Sequence, residues 1–322
     1  MGILKATDDG RAADTRQGSS EEEEAEEEEP EISNYKLHAR TISSFFIPPA
    51  AAEQLISASY DSSIRCFDLN AGKSVELLVH PDESALSAVN PLDDAGRVLL
   101  YATLEGEVGR CDVRAGSRAA ETWQCSDKKI GGCHVLRRGD RHLLATASLD
   151  RCVKIWDLRH MAAPLASHES RLSVSSAVWS ATGKLATTSY DDTVKIYNPL
   201  ALLGGGASAG PGTGTGTGKG TGKGTRTVLE LEPEHVIPHN NQTGRWVTIL
   251  KAVWQERPDD GVQKLVVANM KRGIDIYDED GSQLAHLADP DHITAVPAVA
   301  RLHPTRSWVA GGTGSGKLVL YS

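Results

Sequence analysis

The chain has 322 residues, 39% apolar and 24% charged, with a formal net charge of −9, which suits one large all-β unit or two smaller units with a sizeable core. No apolar run reaches the roughly 18 residues of a membrane-spanning helix and the N-terminus has no apolar signal stretch, so the reading is a soluble protein of the cell interior with no membrane partner. Five cysteines, odd in number and without a CxxC pair, argue against a disulfide framework, and neither a metal site nor a cofactor is expected.

The acidity is local. Residues 1–34 hold Lys5, Arg11 and Arg16 against three Asp and nine Glu, leaving residues 35–322 with 31 basic and 31 acidic side chains. Glu21–Glu29 is eight glutamates broken by one alanine, a run that repels itself and predicts a disordered tail over 1–34. Met1–Thr7 could be the stub of a strand, and Tyr35–Leu37 is the expected outer strand of a first repeated unit.

Six segments then stack: Ser57–Asp68, Tyr101–Asp112, Thr146–Asp157, Thr187–Asn198, Val267–Asp278 and Gly311–Ser322. Each has a small-residue strand, a polar or glycine-containing turn and an alternating strand such as Val153-Lys154-Ile155-Trp156, whose period of two buries one face. Their closing positions lie 44, 45, 41, 80 and 44 residues apart, and the long interval contains the Gly/Thr-rich stretch 204–224, read as a disordered loop. A period of 40–45 residues with a Trp156-Asp157 ending predicts an all-β WD-repeat β-propeller over residues 35–322. Six blades are recognisable, where such rings usually have seven. Either the chain is a shortened version of a longer protein or the ring closes with six.

His38, His168 and His292 each precede a turn position by 23 residues. The spacing predicts structural His–Asp pairs, His38–Asp61 and His168–Asp191, with His292 lacking its carboxylate. Gly311–Lys317 fits the GxxxxGK phosphate loop but is rejected. Leu318 stands where a magnesium-binding Ser or Thr is needed, and only five residues follow Lys317, too few for the helix. No Ser-His-Asp or Cys-His set stands out, so the chain is read as a non-enzyme with no catalytic residues and no small-molecule substrate.

The cations follow the repeat more closely than the carboxylates do. Loops before each inner strand and turns inside each repeated hairpin open on one face of a propeller, and they carry Arg40, Lys128, Lys129, Arg171, Arg245, Lys271 and Arg272. Lys271 and Arg272 occupy a turn where other units carry Asp or Glu. Tyr190 and Trp246 lie beside these cations as stacking candidates, and the combination suits a nucleic-acid backbone. Ordinary surface charge is the alternative.

The phrases HARTISSFF, SASYDSSIRCFDL, ATASLDRCVKIWDLR, HNNQTGRWVTILKAVWQ, NMKRGIDIYDEDGSQLAHL and ITAVPAVARLHPT resemble the WD-repeat DNA damage-binding family, distant cousins of the small subunit of the UV-damaged-DNA-binding complex. The likeness runs from about Ser33 to Ser322. It implies a nuclear scaffold that binds DNA, damaged DNA by preference, and acts in the DNA damage response. Relatives also serve as substrate receptors of cullin–RING ubiquitin ligases. Trp156-Asp157-Leu158-Arg159 has the WDxR form with which many adaptors dock on the ligase platform, making Asp157 and Arg159 docking candidates. The fold alone implies only a protein-interaction scaffold.

Overall fold

The computed structural model describes residues 2–4, 32–115, 121–139, 141–204, 228–244 and 248–322. The acidic run Glu21–Glu29 and all but the first residue of the insertion 204–224, both expected to be disordered, lie outside the described residues. Strands β1 (Gly2–Leu4) and β2 (Ile32–Asn34) pair antiparallel in a sheet of their own. Six further sheets are the blades of a β-propeller, each running from an inner to an outer strand.

Blade one comprises β3 (Ile42–Phe46), β4 (Gln54–Ser59), β5 (Ser63–Asp68) and β6 (Lys73–Val79); blade two β7 (Leu86–Pro91), β8 (Val98–Thr103), β9 (Glu107–Asp112) and β10 (Glu121–Gln124). Blade three is β11 (Ile130–Arg138), β12 (Arg141–Ser148), β13 (Cys152–Asp157) and β14 (Ala166–Glu169). Blade four begins with β15 (Val174–Trp179), β16 (Leu185–Ser189) and β17 (Thr193–Tyr197), after which come the short helix α1 (Pro199–Gly204) and β18 (Leu229–Glu230). β18 adds in parallel to β14 as a fifth strand of blade three, and β19 (Pro233–Pro238) closes blade four. Blade five is β20 (Val253–Trp254), β21 (Leu265–Ala268), β22 (Gly273–Tyr277) and β23 (Gln283–Ala288); blade six is β24 (Pro297–Leu302), β25 (Val309–Thr313) and β26 (Leu318–Tyr321). Every repeated segment is thus the central hairpin of a blade, Gly311–Lys317 included.

The hairpins form where the alternation places apolar side chains on both faces, because each blade is packed between two others. In β8, Leu99 joins Ile56, Ile64 and Leu78 of blade one, while Leu100 joins Val135, Leu144 and Trp156 of blade three. Burying each such leucine stabilises the interface by roughly 1.5–3 kcal/mol. The same arrangement repeats between Ile155 and Trp179, between Ile196 and Trp254, and between Ile274 and Val309. Inner strands must approach closely: a Cβ at Gly131 would sit 2.8 Å from the Ser175 carbonyl oxygen of the next blade.

Two expectations differ from the structure. Tyr35–Leu37 is not a strand. Tyr35 stacks on Phe67 with ring centroids 4.7 Å apart and Leu37 joins Leu55, so these side chains are drawn onto the face of blade one and the strand falls at β2. The blades are also not uniformly four-stranded, since blade six has three strands. Its far face carries Val299, Leu318 and Leu320, all more than half exposed, as is Phe45 on blade one. Among the described residues, no apolar cluster joins blade six to blade one.

The hairpin turns share one backbone device. Their fourth residue lies in the left-handed region: Gly106 (φ +88°) and Gly316 (φ +87°), but also Ser62 (68°), Arg151 (75°), Asp192 (61°) and Arg272 (68°). Outside glycine this conformation costs on the order of 1 kcal/mol, which the surrounding hydrogen bonds must offset.

Candidate nucleic-acid interface

Antiparallel alternation brings the loops before the inner strands and the hairpin turns to the same end of every blade. Arg40 precedes β3, Lys128 and Lys129 precede β11, Arg171 precedes β15, and Lys271 and Arg272 form the β21–β22 turn. Six of the seven candidate cations therefore lie on one face, whereas Arg245, like the stacking candidate Trp246, lies outside the described residues. One contact shows the convergence directly. Lys129 Nζ donates to Tyr60 Oη at 3.2 Å and lies 5.4 Å from that ring's centre, linking blade three to the turn of blade one. Arg40 and Arg171 are exposed and donate to the carbonyls of Tyr60 (3.5 Å) and Asp191 (3.4 Å) in their own blades' turns. Tyr190 is half-buried, and burial raises its phenol pKa, so it offers part of a ring to a stacking partner.

Carboxylates also populate this face, but their charge is spent inside the turns. Asp61 accepts from the Ala39 N–H (2.9 Å), the Ser63 hydroxyl (2.7 Å) and His38 Nδ1 (3.0 Å), while His38 Nε2 meets Ser57 Oγ at 2.8 Å. Burial pushes the Asp61 carboxyl up, but the hydrogen bonds from Ser63 and Ala39 and the His38 ring together bring it down to about 2. Asp150 accepts from the Cys152 N–H and Ser126 Oγ, both at 2.9 Å, and pairs with Lys154 at 3.4 Å. Asp191 pairs with Lys195 at 3.0 Å and accepts from Thr193 Oγ1 at 2.5 Å. The expected His168–Asp191 hydrogen bond is absent: Lys195 and Thr193 occupy the carboxylate, and the His168 ring packs edge-on against Tyr197 with centroids 5.4 Å apart. His292, read as lacking its carboxylate, pairs instead with Asp289 at 2.7 Å.

Blade five inverts this arrangement. Three turns carry an acid followed four positions later by a base on the adjoining strand: Asp61 and Arg65, Asp150 and Lys154, Asp191 and Lys195. Blade five has Lys271 at the turn and Asp275 on the strand. Asp275 is engaged by His286 (2.7 Å), Asn269 Nδ2 (2.8 Å) and Gln283 Nε2 (2.9 Å), and the Asn269 side chain replaces the turn acid by accepting from the N–H groups of Lys271 and Gly273. Lys271 and Arg272 are exposed, and neither side chain makes a hydrogen bond or ion pair among the described residues.

The adaptor candidates form a local brace. Asp157 is buried, and Arg159 grips it with Nε at 3.0 Å and Nη2 at 2.8 Å, with Arg141 Nε adding a third contact at 3.3 Å. The Arg159 hydrogen bond, opposed by burial, holds the Asp157 carboxyl well below the usual range. Asp112 and Arg114 repeat the geometry at 2.9 and 2.6 Å in blade two. Arg159, expected to stand unpaired at the rim, is half-exposed but tied to the buried carboxylate. Its outer side lines a cleft with Trp123, Glu121 and Met161 between blades two and three.

Two cations escaped the repeat reading, Lys251 before β20 and Arg301 in β24. Sequence alternation hints at the second, because Ala300 and Leu302 are apolar in an inner strand and the charged residue between them faces the other way.

The WD domain, G-beta repeat family matches residues 132–157 and 162–198, which span most of blades three and four. The chain is 47% identical over 303 residues to the DNA damage-binding protein CMR1 of Chaetomium globosum, covering 91% of this chain and 55% of that protein. It is 48% identical over 304 residues to the protein of the same name from Neurospora crassa, with the same coverage. With the one from Phaeosphaeria nodorum it shares 46% identity over 332 aligned positions, covering 100% of this chain and 60% of that protein. The chain spans a little over half the length of these relatives.

Proposed function

The chain belongs to the WD-repeat DNA damage-binding family, and from that membership we propose that it is a non-catalytic nuclear protein that binds DNA, damaged duplex by preference, through the face bearing Arg40, Lys128, Lys129, Arg171, Arg245, Lys271 and Arg272. One observation carries the reading. The blade-five turn exchanges the acid and base positions of its sister blades, so two cations point outward where an internally satisfied carboxylate would sit. The family names support DNA as the ligand, and backbone phosphates are what exposed Lys and Arg recognise without reference to sequence. Preference for damage then comes from the greater deformability of a lesion, with Trp246 and Tyr190 as stacking partners for a displaced base.

Fluorescence anisotropy with intact and lesion-bearing duplexes over a salt series tests this reading. Binding with a steep salt slope and tighter affinity for the lesion is expected. Affinity that ignores salt, or that is equal for both duplexes, refutes the corresponding half. Docking on a cullin–RING platform through Arg159 has narrower support, the half-exposed guanidinium at the cleft between blades two and three, and co-purification of parent and Arg159→Ala chains with the platform decides it.

A further inference from the structure

The inner strands enclose a second set of cations distinct from the rim. β11 and β24 pair in equivalent register with their hairpins, His134 opposite Ala145 and Arg301 opposite Ala310, so the two side chains stand at one level of the ring, three blades apart. Arg301 acts electrostatically on His134 although the strands share no sheet, which requires them to face each other across the channel. Lys251, from blade five, is felt by Cys133 of blade three and by Arg301 of blade six, and Lys129 acts on it from the mouth. Lys251 and Arg301 reach water yet are enclosed by protein on most sides, as lining residues of a solvent-filled channel are.

Neither Lys251 nor Arg301 has a side-chain hydrogen bond or ion pair among the described residues, and Lys129 has only the Tyr60 hydroxyl. Glu256 is the carboxylate that acts on Arg301. The Lys251 ammonium is pulled below its ordinary pKa by burial, then by Arg301 and Lys129. The Trp179 N–H donates to His134 Nδ1 at 3.1 Å, which assigns the ring proton to Nε2. Burial, then Arg301, pushes His134 down to about 4, so at neutral pH the ring is an uncharged donor. Three clustered cations with a neutral donor among them, and little internal charge to balance them, are unfavourable in isolation and complementary to a compact polyanion.

We propose that the central channel, through Lys129, Lys251, Arg301 and His134, is a binding site for a phosphate group, the anion whose compact shape and multiple oxygens match donors arriving from three blades. The group could arrive on a free soluble polyphosphate or on the terminus of a nucleic-acid strand, and the chemistry of capture is the same. The site is independent of duplex binding at the rim.

The test titrates the full chain with sodium pyrophosphate by calorimetry in low-chloride buffer, beside 5′-phosphorylated and unphosphorylated pentathymidylate. Pyrophosphate should bind the parent, and the Lys251→Met/Arg301→Met variant should bind it at least about tenfold more weakly for each charge-assisted contact removed. Without ligand the variant should melt higher than the parent, because mutual repulsion is gone, and pyrophosphate should raise the melting temperature of the parent alone. If the double variant fails to fold, Lys251→Gln should still lose about tenfold in affinity. Binding of pyrophosphate alone assigns a free phosphate, and selective binding of the phosphorylated oligonucleotide assigns a strand terminus; either supports the site. Parental affinity in the variants, or no binding of any probe at millimolar concentration, overturns it. A Lys271→Ala/Arg272→Gly chain should keep pyrophosphate binding, so failure at the rim and failure in the channel are distinguishable.

Discussion

Replacing Lys271 by Ala and Arg272 by Gly removes the two outward cations while leaving the turn that carries them intact. Arg272 has φ +68°, the region that Gly106 and Gly316 occupy at the same position of their blades. Relief of about 1 kcal/mol of left-handed strain is opposed by roughly 0.5–1 kcal/mol of extra chain entropy in the unfolded state, so stability should be unchanged to within about 1 kcal/mol. Asn269 still caps the turn. The effect on DNA is larger. Each phosphate contact contributes about 0.9 to the slope of log affinity against log salt, so the double variant should flatten the slope by about 1.8. At about 0.1 M salt that amounts to roughly 60-fold in affinity, for intact and damaged duplex alike, since backbone contacts carry no lesion information. Anisotropy titrations from about 50 to 200 mM salt measure both quantities. A variant that melts with the parent and shares its affinity and salt slope would refute the placement of DNA on this face.

Three further outcomes follow from the geometry. The Asp61 carboxyl lies at about 2 in the fold against roughly 3.9 when unfolded, so its stabilisation is present above about pH 4 and lost as pH falls through about 2. Asp61→Asn should therefore be less stable at pH 7 by on the order of 2 kcal/mol and lose less between about pH 4 and 2, as acid titration followed by circular dichroism would read. Arg159→Ala should cost about 1–2 kcal/mol by denaturant melting, since it takes a bidentate partner from buried Asp157, and Arg159→Lys should recover part of this; a silent Arg159→Ala would disprove the brace. The chain should self-associate reversibly through the three-stranded blade six, and Leu320→Lys should shift sedimentation toward monomer; unchanged association acquits that face.

The hairpins were legible because a blade packed on both faces requires small and apolar residues at a two-residue period, and Val153-Lys154-Ile155-Trp156 reads that way without any fold. What the period could not convey was competition for a partner. Spacing alone paired His168 with Asp191, but Lys195, four positions along on the adjoining strand, reaches the carboxylate and brings a full charge. Tyr35–Leu37 reads as a strand, yet the apolar face beside Phe67 claims its side chains. Of the candidate interface, the rim cations were visible because turns recur at fixed places in the repeat. Lys251 and Arg301 were not, since three blades and more than 100 residues separate His134 from its neighbours across the channel.

The exchange in blade five has a consequence for how such a surface can arise. Lys271 and Asp275 are the same two kinds of side chain found in the sister blades, transposed across four positions, so the repeat's net charge is conserved while the polarity of its outer end is reversed. Two substitutions in one blade can therefore redraw the electrostatic map of a whole face without enlarging the protein, altering its isoelectric point or disturbing the apolar ladder beneath. A ring of near-identical modules offers that operation once per blade, and each module acts as a dipole that can be flipped on its own.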